Sequence, residues 1–154
     1  VNDIVLFAHP TAGVLATLAA LWVFVEALNA TDSNQARSRW AASATAVFMV
    51  MAWLLGGYWY LRWFPAEKAL IVAGPWPFAH TVFMETKEHL FFIPLILALY
   101  LPIVTVTNLA VNRGARRMAL VVAGSIVLNG LAIEGAGAVV NHGAKLAVMP
   151  AGSR

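Results

Sequence analysis

The length of its apolar runs constrains this chain more than any other feature. Four stretches stay predominantly apolar for about 20 residues or more, near 4–28, 40–64, 88–110 and 118–140. A bilayer hydrocarbon core of about 30 Å is crossed by a helix of about 20 such residues. The expected fold is therefore all-α, an integral membrane bundle of four helices. Charge supports the same conclusion. Only 11% of the 154 residues are charged, against about 25% in an ordinary soluble domain, too few to cover a water-facing surface. The first run lacks a basic leader and is too long for a signal peptide, so it reads as a retained helix.

The connections set the expected topology. The first two runs are joined by the short polar segment ATDSNQARSR and the last two by VNRGARR. Short links make antiparallel hairpins, so an up-down-up-down bundle is expected, with 1–154 forming a single transmembrane domain. The middle connection, 65–87, is longer and carries the turn-rich GPWPF. Pro77 can open a helix, which extends the third helix back to His80. The expected helices are about 4–28, 40–64, 80–110 and 115–142. Beyond His142 a helical or loose extension runs to Met149.

The formal net charge is +3, but the basic residues sit at the ends of apolar runs rather than in a stripe on a polar scaffold. Headgroups and the positive-inside tendency account for them, and nucleic acid is excluded as a partner. Arg37 and Arg39 fill the first short link; Arg113, Arg116 and Arg117 fill the second. The opposite side carries Arg62, Lys68, Lys87, Lys145 and Arg154, diluted by Asp3, Glu67, Glu85 and Glu88. The dense clusters favour cytoplasmic links and both termini outside. The Ala-, Gly-, Val- and Arg-rich composition suits a bacterial inner membrane. The aromatic run GGYWYLRWF reads as an interfacial belt. Cysteine is absent, which removes disulfides, thiolate metal sites and covalent haem attachment through C-x-x-C-H. No nucleotide-binding loop, nucleophile elbow or zinc-protease motif is present.

The histidines carry the functional signal. His9, His80, His89 and His142 all fall towards the expected outer side. At about 1.5 Å per residue, His9 lies roughly 28 Å from the inner end of its helix, His89 roughly 31 Å and Glu134 roughly 30 Å. Three residues from three helices thus share one level. His80 and His142 share a second, roughly 10–15 Å further out. In such a bundle the first and third helices are diagonal, and a diagonal imidazole pair can clamp a flat macrocycle. His9 with His89 is the leading pair. Gly13, one turn from His9, and Gly130, Gly135 and Gly137 would let a ring approach, or else serve close helix packing. His80 and His142 would hold a second haem or stand as solvated interfacial side chains. On a continuous helix the nine residues from His80 to His89 turn them to opposite faces.

Glu134, set in the apolar LAIEGAGAVV, is an ionisable group in a spanning run and a candidate functional residue on that ground. It would bond a histidine or propionate, shuttle a proton near a quinone, or ligate a metal. Glu85, one turn before His89, is placed to orient its imidazole. Glu26 is expected to reach Arg37 or Arg39. Thr105, Thr107, Asn108, Asn129 and Asn141 are expected to bond between helices.

The histidines in FAHPTAG, KEHLFF and NHGAK, with His80, give the chain an architecture that resembles small membrane-embedded b-type cytochromes. The resemblance covers the helical region as an arrangement, not as a sequence match. It implies haem b, one or two per chain. It further implies an electron-transfer subunit rather than a stand-alone enzyme, working with other subunits between quinone and a periplasmic electron carrier. Two alternatives stand beside it: a single copper, zinc or iron ion on His9, His89 and Glu134, with Glu85 or Glu88 as further ligands and His80 and His142 as the other candidate histidines, and a structural or assembly subunit without cofactor.

Overall fold

The computed structural model describes residues 2–149, and Arg154 lies outside them. Among the described residues the chain is helical throughout, with no strand. Helix α1 spans Asn2–Leu28, α2 Gln35–Arg62, α3 Phe64–Ala73, α4 Glu85–Leu90, α5 Phe92–Val106 and α6 Arg113–Val148. A π-helical segment, Ala79–Met84, leads into α4. Joined end to end, that segment, α4 and α5 form one run, Ala79–Val106, which with α1, Asp32–Arg62 and α6 makes four helices long and apolar enough to cross a membrane.

These helices close a ring in which α1 packs on α2 and α6, while α5 packs on the same two. Its interior is built from small residues. Ala16, Ala20, Ala41, Ala42, Ala98 and Ala123 are fully buried, while Phe7, Leu61, Ile103 and Leu128 are 65–80% exposed. Small side chains let helix backbones approach closely. At Gly130 of α6 the backbone faces the Thr17 side chain of α1 so closely that an added Cβ would meet it.

Two parts of the fold depart most from the sequence reading. Helix α2 starts at Gln35, not near residue 40, because the polar residues of the first link are used as helix-end partners. Gln35 Nε2 donates to the carbonyls of Thr105 and Thr107 at 2.7 and 3.0 Å, and its Oε1 accepts from Leu109 N–H at 3.0 Å. Arg39 donates to Thr105 and Val106. Arg116 likewise donates to the carbonyls of Ala27 and Leu28. Carbonyls at a helix C-terminus lack intrahelical partners, and cations there also meet the negative end of the dipole. Arg37 pairs with Glu26 at 2.8 Å.

The second difference is the middle connection, which is not simply turn-rich. Pro65 stands in the first turn of α3, where a missing N–H costs nothing. At the far end, α6 stays helical past His142 to Val148. Two of the residues expected to bond between helices instead bond within their own. Thr105 donates to Pro102 O and Asn129 to Ser125 O, whereas Asn108 does cross to Asp32, at 2.7 Å.

Candidate functional site

At one end of the ring, where the N-terminal part of α1 meets the C-terminal part of α2, a cavity of about 610 Å³ opens between the helices. Each helix contributes residues at helical spacing. From α1 come Leu6, His9 and Pro10, and from α2 Ala52, Trp53, Gly56, Gly57, Trp59 and Tyr60. The third run supplies Met84, Lys87, Glu88, Phe91 and Phe92, and α6 supplies Glu134, Gly137, Ala138 and Asn141. Offsets of three, four, seven and eight mark one face of a helix. The wall is mostly aromatic and apolar, with a few polar groups converging on it, the usual make-up of a small-molecule site.

His9 is the best-defined of these groups. Its Nδ1 lies 2.9 Å from the carbonyl oxygen of Ala52. A carbonyl can only accept, so Nδ1 carries the proton and donates. In the neutral imidazole Nε2 is then the bare nitrogen, and no hydrogen bond is made to it among the described residues. This arrangement, in which a backbone carbonyl fixes the tautomer, is how ligating imidazoles are ordinarily held. The ring rests on Gly56: a Cβ there would lie 2.5 Å from Cε1.

Lys87 reaches in from α4 and interacts electrostatically with both Glu134 and His9. Among the described residues only Arg37–Glu26 and His80–Glu85 come within 4.0 Å as ion pairs. Lys87 and Glu134 therefore face each other without a contact bridge. Glu88 is turned towards the Tyr60 hydroxyl, and its Oε1 is buried with no hydrogen-bond partner among the described residues. Such an orphaned acceptor is uncommon in a folded protein and calls for an explanation. Glu67 of α3 stands at the rim, where burial pushes its carboxyl above the ordinary range.

The residues singled out from sequence are therefore distributed unevenly. His9 and Glu134 share the cavity, and Gly13 faces Glu134, a Cβ there lying 2.7 Å from Oε1. His89 is exposed and does not line the cavity. Its Nδ1 bonds the backbone carbonyl of Glu85 at 2.6 Å, not the carboxylate. His80 is buried, edge-on to Phe64 at 5.7 Å, with Nδ1 unpartnered among the described residues and Nε2 3.9 Å from Glu85. His142 is exposed and lies edge-on to Trp76 at 4.9 Å. Of the glycines, Gly137 lines the cavity and Gly135 faces open space. Among the described residues no three His, Cys, Asp or Glu side chains gather closely enough to hold a metal ion.

The sequence reading gave Lys87 no role beyond a headgroup-side charge and named Glu88 only as an optional ligand of a metal site. Their signal was present. Residues 84, 87, 88, 91 and 92 form one helical face, whereas 85 and 89 fall on another. No family model, curated protein or solved structure matches this chain.

Proposed function

We propose that the chain is an integral membrane protein, an up-down-up-down bundle of the bacterial inner membrane with both termini outside, and that it serves as an electron-transfer subunit of a larger membrane redox complex. The four long apolar helices support insertion, as does the inverted distribution of small residues inside and large apolar residues outside. A soluble monomer rarely exposes so much contiguous apolar surface.

The redox group favoured by the cavity is an isoprenoid quinone. The observation that carries this reading is the convergence of His9, Lys87, Glu88 and Glu134 on one aromatic-walled cavity. Ionisable groups at membrane depth are functional candidates by default. Lys87 is a donor that suits a quinone carbonyl. Glu88 offers Oε1, which has no hydrogen-bond partner among the described residues, as an acceptor for a hydroquinone O–H. Aromatic and apolar walls suit the ring and the first units of its tail. Glu134 and Glu88 are placed to exchange the protons that accompany quinone reduction.

A second occupant, haem b, is favoured by His9 alone, whose fixed tautomer leaves Nε2 free for iron. In this reading His9 is the one histidine ligand at the cavity, and His89, facing elsewhere, is not its partner.

Two measurements on detergent-purified protein separate these readings. Trp53 and Trp59 line the cavity, so a short-chain ubiquinone should quench tryptophan fluorescence saturably, at one molecule per chain, and His9→Ala should weaken it. Absence of saturable quenching sinks the quinone reading. A dithionite-reduced minus oxidised spectrum with a Soret band, lost in His9→Ala and kept in His89→Ala, would install haem b in its place.

A further inference from the structure

Each of three ionisable groups at the cavity lies directly over a glycine of a neighbouring helix. Glu134 lies over Gly13, His9 over Gly56 and Lys87 over Gly137, where added Cβ atoms would come within 2.7, 2.5 and 3.2 Å of the side chain. For Glu134 and Lys87 the crowded atom is the far end of a flexible chain, which can swing aside. His9 differs. Its imidazole is rigid, and Nδ1 is tied to Ala52 O, one helical turn before Gly56 on the same helix. A Cβ at Gly56 would meet Cε1 at 2.5 Å, Nδ1 at 2.7 Å and Nε2 at 3.2 Å. The Nδ1–Cε1–Nε2 edge of the ring is therefore in its path.

We propose that Gly56 is a positioning residue: with the Ala52 carbonyl it forms a seat on α2 that fixes the tautomer of His9 and the direction in which Nε2 meets the cavity. This rests on the quinone reading for its ligand but not for its geometry. Elsewhere the glycines do something different. Gly143 faces the Ala79 side chain and Gly124 faces Phe24, both contacts of packing, and Gly135 faces open space. Ala ordinarily favours a helix over Gly. Glycine at 56 therefore runs against local helix preference, and the imidazole supplies the reason.

The test compares Gly56→Ala, His9→Ala and their combination, with Gly135→Ala as control, in the same short-chain ubiquinone titration. Gly56→Ala is expected to weaken binding about tenfold, the loss of one well-directed hydrogen bond, while Gly135→Ala leaves it unchanged. In the His9→Ala background it should have no further effect, since coupled residues are not additive. Full binding by Gly56→Ala, or a loss that adds in full to that of His9→Ala, overturns the assignment.

A ligand-free readout separates failure of the seat from failure of the quinone reading. ¹⁵N spectra of labelled imidazoles, with His9 assigned from His9→Ala, should show the Nδ1-protonated tautomer in the parent chain and its loss in Gly56→Ala. If the parent chain binds no quinone but shows this tautomer change, the occupant is wrong and the seat stands. An unchanged tautomer in Gly56→Ala removes the seat whatever binds.

Discussion

Replacing Gln35 by glutamate changes one atom and removes two hydrogen-bond donors. The amide Nε2 donates to Thr105 O at 2.7 Å and Thr107 O at 3.0 Å, while Oε1 accepts from Leu109 N–H at 3.0 Å. A carboxylate keeps the last of these and can make neither of the first two. Two lost donations cost about 1 kcal/mol each. A negative charge at the C-terminal end of α5 adds about 0.3–1 kcal/mol through the helix dipole. An i,i+4 pairing with Arg39 returns about 0.3 kcal/mol. The expected net loss is about 2–3 kcal/mol, or about 4–12 °C at about 2–4 °C per kcal/mol. Thermal unfolding of Gln35→Glu in detergent, followed by circular dichroism, measures it. The sign of the pH dependence sharpens the test. Folding disfavours the charged form of the introduced carboxyl, so the folded chain holds its proton more tightly than the unfolded chain, where the group titrates at about pH 4.3. Lowering the pH through that window restores a neutral group with one O–H donor, and the gap to the parent should narrow near about pH 4. A variant that melts within about 1 °C of the parent near neutrality, or a gap that widens in acid, would refute the capping argument.

Arg116→Met removes the donors to the carbonyls of Ala27 and Leu28 and should cost about 2–3 kcal/mol by thermal unfolding, charged hydrogen bonds being the stronger kind. Gly130→Ala places a methyl against Thr17 and should destabilise by about 1–3 kcal/mol, as overpacking does; combining it with Thr17→Ala should recover most of that loss. For Glu67, burial raises the folded pKa above the unfolded one, so the folded state holds the proton more tightly and stability falls as pH rises through the interval between them. Glu67→Gln should therefore unfold later than the parent at neutral pH and lose that advantage below about pH 4.

The four long helices were legible because apolar length is a property of the chain taken locally, and no tertiary knowledge is needed to count it. What was not legible was structure that depends on distant partners. The start of α2 at Gln35 is set by carbonyls some 70 residues away, so the polar link looked like a loop. Glu85 likewise looked placed to orient His89 through its carboxylate, but in the helix the nearer acceptor is its own backbone carbonyl. Helix α3 was a different kind of miss. Pro65 followed by Ala66, Glu67, Lys68 and the apolar run 69–73 is a local helix start, in a segment too short to span.

The site shows why depth without rotation is half an argument. Counting residues along each helix placed His9, His89 and Glu134 at one level, and His9 and Glu134 do line one cavity. Level fixes position along a helix axis, while the side chain's direction repeats every 3.6 residues. His89 sits on the wrong side of that repeat. Met84, Lys87, Glu88, Phe91 and Phe92 form the cavity face of their helix, and position 89 lies about 100° round from Glu88. The residue that takes His89's expected place is therefore Lys87, a donor rather than an electron-pair ligand while it is charged. That exchange is what moves the favoured occupant from a macrocycle clamped between two imidazoles to a ring held by hydrogen bonds. It also makes Lys87→Met the sharpest single discriminator between the two. A quinone loses a carbonyl donor and should bind about tenfold more weakly in the fluorescence titration. A haem held by His9 keeps its ligand, and its Soret absorbance per chain should stay unchanged.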